Sequence, residues 1–275
     1  LAAVKALRSA GITPARPVTV MVTRAEESCW FPVSYLGSRA ALGVLPPESL
    51  DVPRSDTGRT LADHMGALGL QPDRVRRGEA WLTSANVRGF IELHIEQGPV
   101  LEGADLPVGL VTAIAGSFRY RKARCIGEWG HSGAVPRSHR RDAVVALAEL
   151  VTTLDRVWQE MTDAGEQATI TFGEVGTDPA LHGFSKIPGE VAFCLDVRSG
   201  SPACLDFVHA RLLEIVGEIE SRRNVQFDLG QRTGSTPTAL DAQLRGSFAR
   251  IAGRNGIAAI EMPSGAGHDT AAFPL

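Results

Sequence analysis

The sequence predicts an α/β protein whose first domain is interrupted by an inserted α+β domain. Three observations carry this. A β-branched run at 17–23 is followed by short helical stretches, the style of an α/β unit with a buried strand. Between 116 and 231 the apolar periodicities fall in the order β-α-β-β-α-β, a split-βαβ pattern. After 231 a helix and a strand resume the earlier style and run into the Gly-rich turn 264–269. The domains are therefore expected at 1–115 and 232–275, as two parts of one body, with 116–231 inserted between them.

The elements follow in order. Leu1, Val4 and Leu7 recur at helical spacing, and Gly11 ends that helix. The strand 17–23 delivers Arg24, Ala25, Glu26 and Glu27 at its C-terminal end, where α/β sheets bind ligands. Adjacent carboxylates repel, so such a pair needs a cation or a proton between them, unless it lies on an ordinary solvated loop. A short helix is expected over 34–43, and another near 60–68 within a loop region rich in Pro, Gly, Asp and Arg.

The stretch 90–99, FIELHIEQGP, organises the first domain. Glu92, His94 and Glu96 alternate with Ile91, Leu93 and Ile95, so a strand here puts the apolar set on one face and the polar set on the other. A histidine between two carboxylates suits a metal site, because neutral imidazole is a common ligand and a carboxylate can orient its second nitrogen. The competing reading is an edge strand with a charged outer face. A strand is expected over 108–114. In the inserted domain, strands are expected at 118–126, 169–175, 189–198 and 224–229, with long amphipathic helices over 140–159 and 202–222. A helix over 239–252 and a strand over 256–260 close the chain.

Composition excludes several function classes. The 275 residues are 44% hydrophobic and 21% charged, an ordinary globular balance. The net charge is −3 and no basic run appears, so nothing points to nucleic acid or an anionic membrane surface. No apolar stretch is long enough for a membrane span, and no signal peptide opens the chain. The cysteines, Cys29, Cys125, Cys194 and Cys204, are scattered without a C-x-x-C pair, which fits reduced thiols in the cytoplasm.

Five segments now become specific in their order: Glu26-Glu27 after a strand, FIELHIEQGPVLE at 90–102, GHSGAVP at 130–136 with RRDA at 140–143, IPGEVAFCLDVRS at 187–199, and SGAGHD at 264–269. Together they resemble the hydantoinase/carbamoylase amidases of the M20 metallopeptidase superfamily, over nearly the whole chain. That group includes N-carbamoyl-L-amino acid hydrolases, β-ureidopropionases and allantoate amidohydrolases. The resemblance implies a zinc-peptidase-like α/β catalytic domain interrupted by a ferredoxin-like lid and dimerisation domain, hence a homodimer acting on a small carboxylate-bearing substrate. It also implies two divalent metal ions, zinc, manganese, nickel or cobalt. Glu26 looks like the general base that deprotonates water, Glu27 like a ligand to one metal, and His94 like a ligand to the other. His131 looks like a donor to the anionic intermediate, reaching across the dimer. Arg198 of the D-x-R motif looks like the grip on the substrate carboxylate, a task suited to a bidentate guanidinium. Gln97 and His268 resemble substrate-contacting positions.

Local alternatives stand beside these roles. His131 could cap the region before the 140–159 helix, Arg198 could pair with Asp196 or Glu190, and His268 could bond its own turn. His64, His139, His182 and His209 match no motif position and read as structural or solvated. Ser185 stands where many relatives have Asn at a substrate-binding position, which leaves the substrate acid open. The GHSGAVP loop also differs from the commoner Thr-rich version. The resemblance places further metal ligands before Leu1 and after Leu275, so the chain reads as a fragment lacking both ends, expected to bind metal poorly and not to turn over alone. The leading expectation is a hydrolase of linear C–N bonds in N-carbamoyl amino acids or related ureido acids. The alternatives are an aminoacylase or dipeptidase of the same superfamily, or an inactive dimerisation or ligand-binding module.

Overall fold

The structure is a computed structural model that describes residues 1–273. It has a mixed α/β fold and divides into two compact units: Leu1–His94 with the segment from His268, and Ile95–Gly267. The expected domain limits at 115 and 231 fall inside the second unit. The reason is strand pairing, since Val108–Ile114 pairs with Ala259–Ser264 and carries both segments into that unit.

The first unit holds α1 (Ala2–Ser9), α2 (Leu36–Ala41), α3 (Leu61–Ala67) and α4 (Pro72–Arg76). Thr60 and Asp63 close a capping box at the start of α3, which satisfies two amides otherwise without helical partners. Leu36, Leu45, Leu50 and Leu61 form a small core. Two sequence expectations fail here. Neither 17–23 nor 90–96 lies in a ladder among the described residues. The apolar set of the second segment is not buried: Ile91 is 65%, Leu93 99% and Ile95 73% exposed. Alternation fixes which side chains share a face, but burial requires a neighbour on that face, and no described strand supplies one.

The second unit begins with α5 (Val100–Gly103) and β1 (Val108–Ile114). It continues through β2 (Gly116–Ile126), β3 (Gly130–His131), α6 (Ala143–Asp163), β4 (Ala168–Thr171), β5 (Val175–Gly176), β6 (Lys186–Ile187) and β7 (Glu190–Ser199). It ends with α7 (Pro202–Arg223), β8 (Gln226–Asp228), β9 (Arg232–Ser235), β10 (Thr238–Ala239), α8 (Ala242–Arg254) and β11 (Ala259–Ser264). The main sheet runs β4-β7-β2-β8, with neighbouring strands antiparallel. With α6 and α7 this gives the expected β-α-β-β-α-β order.

Helix α6 buries Ala143, Ala146, Leu147, Leu150, Leu154, Val157 and Met161, one stripe at helical spacing. Helix α7 contributes Leu205, Val208, Leu212, Ile215 and Ile219 to the same core, against Leu195 and Val197 of β7. The helix starts lie where the chain supplies caps. Asp142 of the RRDA motif accepts from Val145 N, and Ser201 accepts from Cys204 N with Pro202 in the first turn. Asn224 closes α7 in the left-handed conformation at φ 53°. The helix expected from 140 therefore starts at Ala143, and the strand expected at 256–260 is β11, shifted to 259–264.

Candidate functional site

In the first unit the turn holding Glu26 is fixed by the start of α2. The amides of Tyr35, Leu36 and Gly37 donate to the carbonyls of Glu26, Ala25 and Arg24 at 3.0, 3.1 and 3.0 Å. Gly37 is required for this approach, since a Cβ there would lie 2.6 Å from the Arg24 amide nitrogen. Burial raises the Glu26 carboxyl above the usual carboxylate range, and the neighbouring Glu27, Asp269 and Glu92 carboxylates add to this, while His94 opposes it. The same α2 carries Ser38, wholly buried, whose hydroxyl lies 2.5 Å from Asp269 Oδ1.

The segments 90–94 and 268–273 meet in the same unit. Phe90 stacks on Phe273 with ring centroids 4.0 Å apart and planes 7° apart. Thr270 donates to Glu92 Oε2 twice, from its amide at 2.8 Å and its hydroxyl at 2.6 Å. The His94 and His268 rings are 4.2 Å apart. One donor atom from each of Glu92, His94 and His268 lies within 4.8 Å of the others. Burial lowers the proton affinity of His268, and His94 beside it adds to this, against the carboxylates of Glu92 and Asp269. A neutral imidazole is the form that ligates metal.

This donor set fits a divalent ion. Two imidazole nitrogens and a carboxylate suit zinc, manganese, cobalt or nickel, and catalytic zinc sites commonly take three protein ligands of these kinds. The Thr270 bonds to Oε2 are the outer support such a ligating carboxylate needs. His94 was expected as a ligand and lies in the cluster. His268, expected against substrate, lies there too, and Glu27 does not contribute to it. Glu92 was visible in the alternating stretch but had no assigned role. Asp269 and Ser38 were not singled out, and the only signal for Asp269 was its place in SGAGHD.

Glu96, the third polar residue of the stretch, has a structural task in the second unit. Its Oε1 and Oε2 accept from Val100 N at 2.7 Å and Leu101 N at 2.9 Å, capping α5. Gln97 follows with φ 56°, exposed.

The second unit brings His131 and Ser185 together. His131 pairs with Lys186 across β3 and β6, and Ser132 N donates to Ser185 O at 2.9 Å. Gly133 N donates to His131 Nδ1 at 3.1 Å, which keeps the proton of a neutral ring on Nε2. Arg140 clamps this loop through the carbonyls of Ser132 and Val135. Arg198 lies on β7, bonded to Asp196 and to the carbonyl of Gly265. Of the remaining histidines, His209 bonds Tyr120, His182 bonds Thr177 and His139 bonds Ser138. His64 packs edge-on to Phe31.

Comparison with known proteins agrees on one family. Residues 1–275 match the family described as Peptidase family M20/M25/M40. The N-carbamoyl-L-amino acid amidohydrolase of Geobacillus stearothermophilus is 34% identical over 97% of this chain and 63% of its own length. A probable allantoate deiminase of Oryza sativa subsp. japonica is 33% identical over 94% of this chain and 57% of its own. An amidase of the hydantoinase/carbamoylase family from Burkholderia multivorans superposes with a TM-score of 0.83 at 27% identity, covering 98% of this chain and 62% of that one. The chain thus spans less than two thirds of the length of these relatives.

Proposed function

This chain belongs to Peptidase family M20/M25/M40, and from that premise we propose that it carries part of the site of a metal-dependent amidohydrolase acting on N-carbamoyl amino acids or related ureido acids. The observation that carries the proposal is the convergence of Glu92, His94 and His268 in the unit that also holds Glu26, whose proton affinity burial has raised. Glu92, His94 and His268 would hold one divalent ion, and Glu27 would serve a second. A bound ion supplies Lewis-acid polarisation and makes water more acidic.

The residues of the chain do the rest. Glu26 takes a proton from water as the water oxygen adds to the ureido carbon, and returns it to the departing nitrogen. One C–N bond breaks, the carbamate loses carbon dioxide, and amino acid and ammonia leave. His131, with its proton on Nε2, donates to the oxygen that gains charge. Arg198 binds the substrate carboxylate, and Gln97 and Ser185 contribute polar contacts. The split-βαβ region is proposed as the lid and as the surface of a homodimer, and the cytoplasm as its location, in keeping with four free cysteines.

The test is ammonia release by the protein expressed from its native reading frame, on a panel of N-carbamoyl-L-amino acids and allantoate with manganese, cobalt, nickel or zinc supplied. Metal-dependent ammonia release supports the reading. Cleavage of N-acyl amino acids or dipeptides without ammonia would replace it with an acylase or peptidase, and ligand binding without turnover would replace it with a binding module.

A further inference from the structure

We propose that Asp196 is a positioning residue that sets the Arg198 guanidinium for a substrate carboxylate, braced from the neighbouring strand by Arg119. This rests on the carboxylate-binding role proposed for Arg198. The two residues of the D-x-R motif share a face of β7, alternating with buried Leu195, Val197 and Ser199. Arg119 lies directly opposite Asp196 in the β2–β7 ladder. Asp196 Oδ2 accepts from Arg198 Nε at 3.1 Å and Nη2 at 2.9 Å, while Oδ1 accepts from Arg119 Nε at 3.1 Å. Gly265 O accepts from Arg198 Nη1 at 3.0 Å.

These bonds leave Arg198 with one N–H on each terminal nitrogen for an incoming carboxylate. An unrestrained arginine loses up to about 2 kcal/mol of rotamer entropy when a ligand fixes it. Asp196 and Gly265 have already imposed that order. Charge supports the same reading. Two guanidiniums share one carboxylate, which leaves a net single positive charge for one incoming carboxylate. Burial pushes the Asp196 carboxyl up, but Arg198 and Arg119 outweigh it and hold it below the usual range, so the bridge is ionised near neutral pH. Without Arg119, Oδ1 loses its guanidinium partner and the carboxylate can turn away from Arg198.

The experiment compares N-carbamoyl-L-alanine with its uncharged carboxamide, by isothermal titration on the full chain with a chelator present so that no turnover intervenes. The wild type is expected to prefer the acid. Arg198→Lys should sharply reduce the preference, Asp196→Asn should lower it about tenfold, and Arg119→Met should lower it less, each change falling mainly on the acid. A merely structural role would weaken both ligands together. Asp196→Asn retaining the full preference, or losing both ligands equally at unchanged secondary structure, overturns the proposal while leaving Arg198 in its role. No preference in the wild type, or an unchanged one in Arg198→Lys, overturns the carboxylate role itself and this proposal with it.

Discussion

Thr270→Val is the sharpest single perturbation of the donor cluster. It removes the hydroxyl that donates to Glu92 Oε2 at 2.6 Å and leaves the amide bond at 2.8 Å and the side-chain volume in place. A hydroxyl on a carboxylate at this distance is a charge-assisted bond. Such bonds contribute about 1.5–3 kcal/mol when buried, and both residues here are half-buried, so about 1–2 kcal/mol of stability should be lost. Loss of an outer partner of a ligating group costs about 10–100-fold in metal affinity. One of the two bonds survives, so the low end applies, about tenfold or roughly 1.4 kcal/mol. The assay is a cobalt or zinc titration of the chain against a competing chelator, with Thr270→Ser as the variant that should restore wild-type affinity. An unchanged affinity in Thr270→Val, with the fold intact by circular dichroism, would refute the idea that Thr270 orients a ligating Glu92.

Three further outcomes follow from the same structure. Ser38→Ala removes the donor 2.5 Å from the buried Asp269 carboxylate, and urea unfolding should show a loss of about 1–3 kcal/mol, with Ser38→Thr losing less. Asp142→Ala removes the cap of α6 and should cost about 1 kcal/mol in the second unit, read as a lower urea midpoint. His209 has its proton affinity lowered by burial and by Arg232, so the unfolded chain binds this proton more readily than the folded one. The contribution is complete above the ordinary histidine value of about 6.5 and fades as pH falls through it towards the lower folded value. The stability of the wild type should therefore drop more steeply than that of His209→Gln between about pH 7 and pH 5, and parallel profiles would refute this.

The sequence disclosed what local periodicity and capping determine. Helices α6 and α7 and the strands β2, β7 and β8 follow from apolar spacing with Asp142, Ser201 and Asn224 at the helix ends, and the structure differs by only a few residues at the boundaries. The segments 17–23 and 90–96 failed for a physical reason, because a strand is made by its neighbour and periodicity names no neighbour. The candidate site was half legible. His94 stood out between two acids, yet the acids have different tasks: Glu92 joins His94 and His268 in the donor cluster while Glu96 caps α5. Spacing cannot separate them, since both lie two residues from His94. The partners Thr270 for Glu92 and Asp269 for Ser38 are 178 and 231 residues away, a separation no local pattern reports.

The measurement closest to the central claim is X-ray absorption at the zinc edge on the chain loaded with one equivalent of zinc, repeated on His268→Ala. Two imidazoles are expected in the wild-type coordination shell and one in the variant, with weaker binding. A shell containing a single imidazole in the wild type, or one that His268→Ala leaves unchanged, would contradict the assignment of Glu92, His94 and His268 as a metal site.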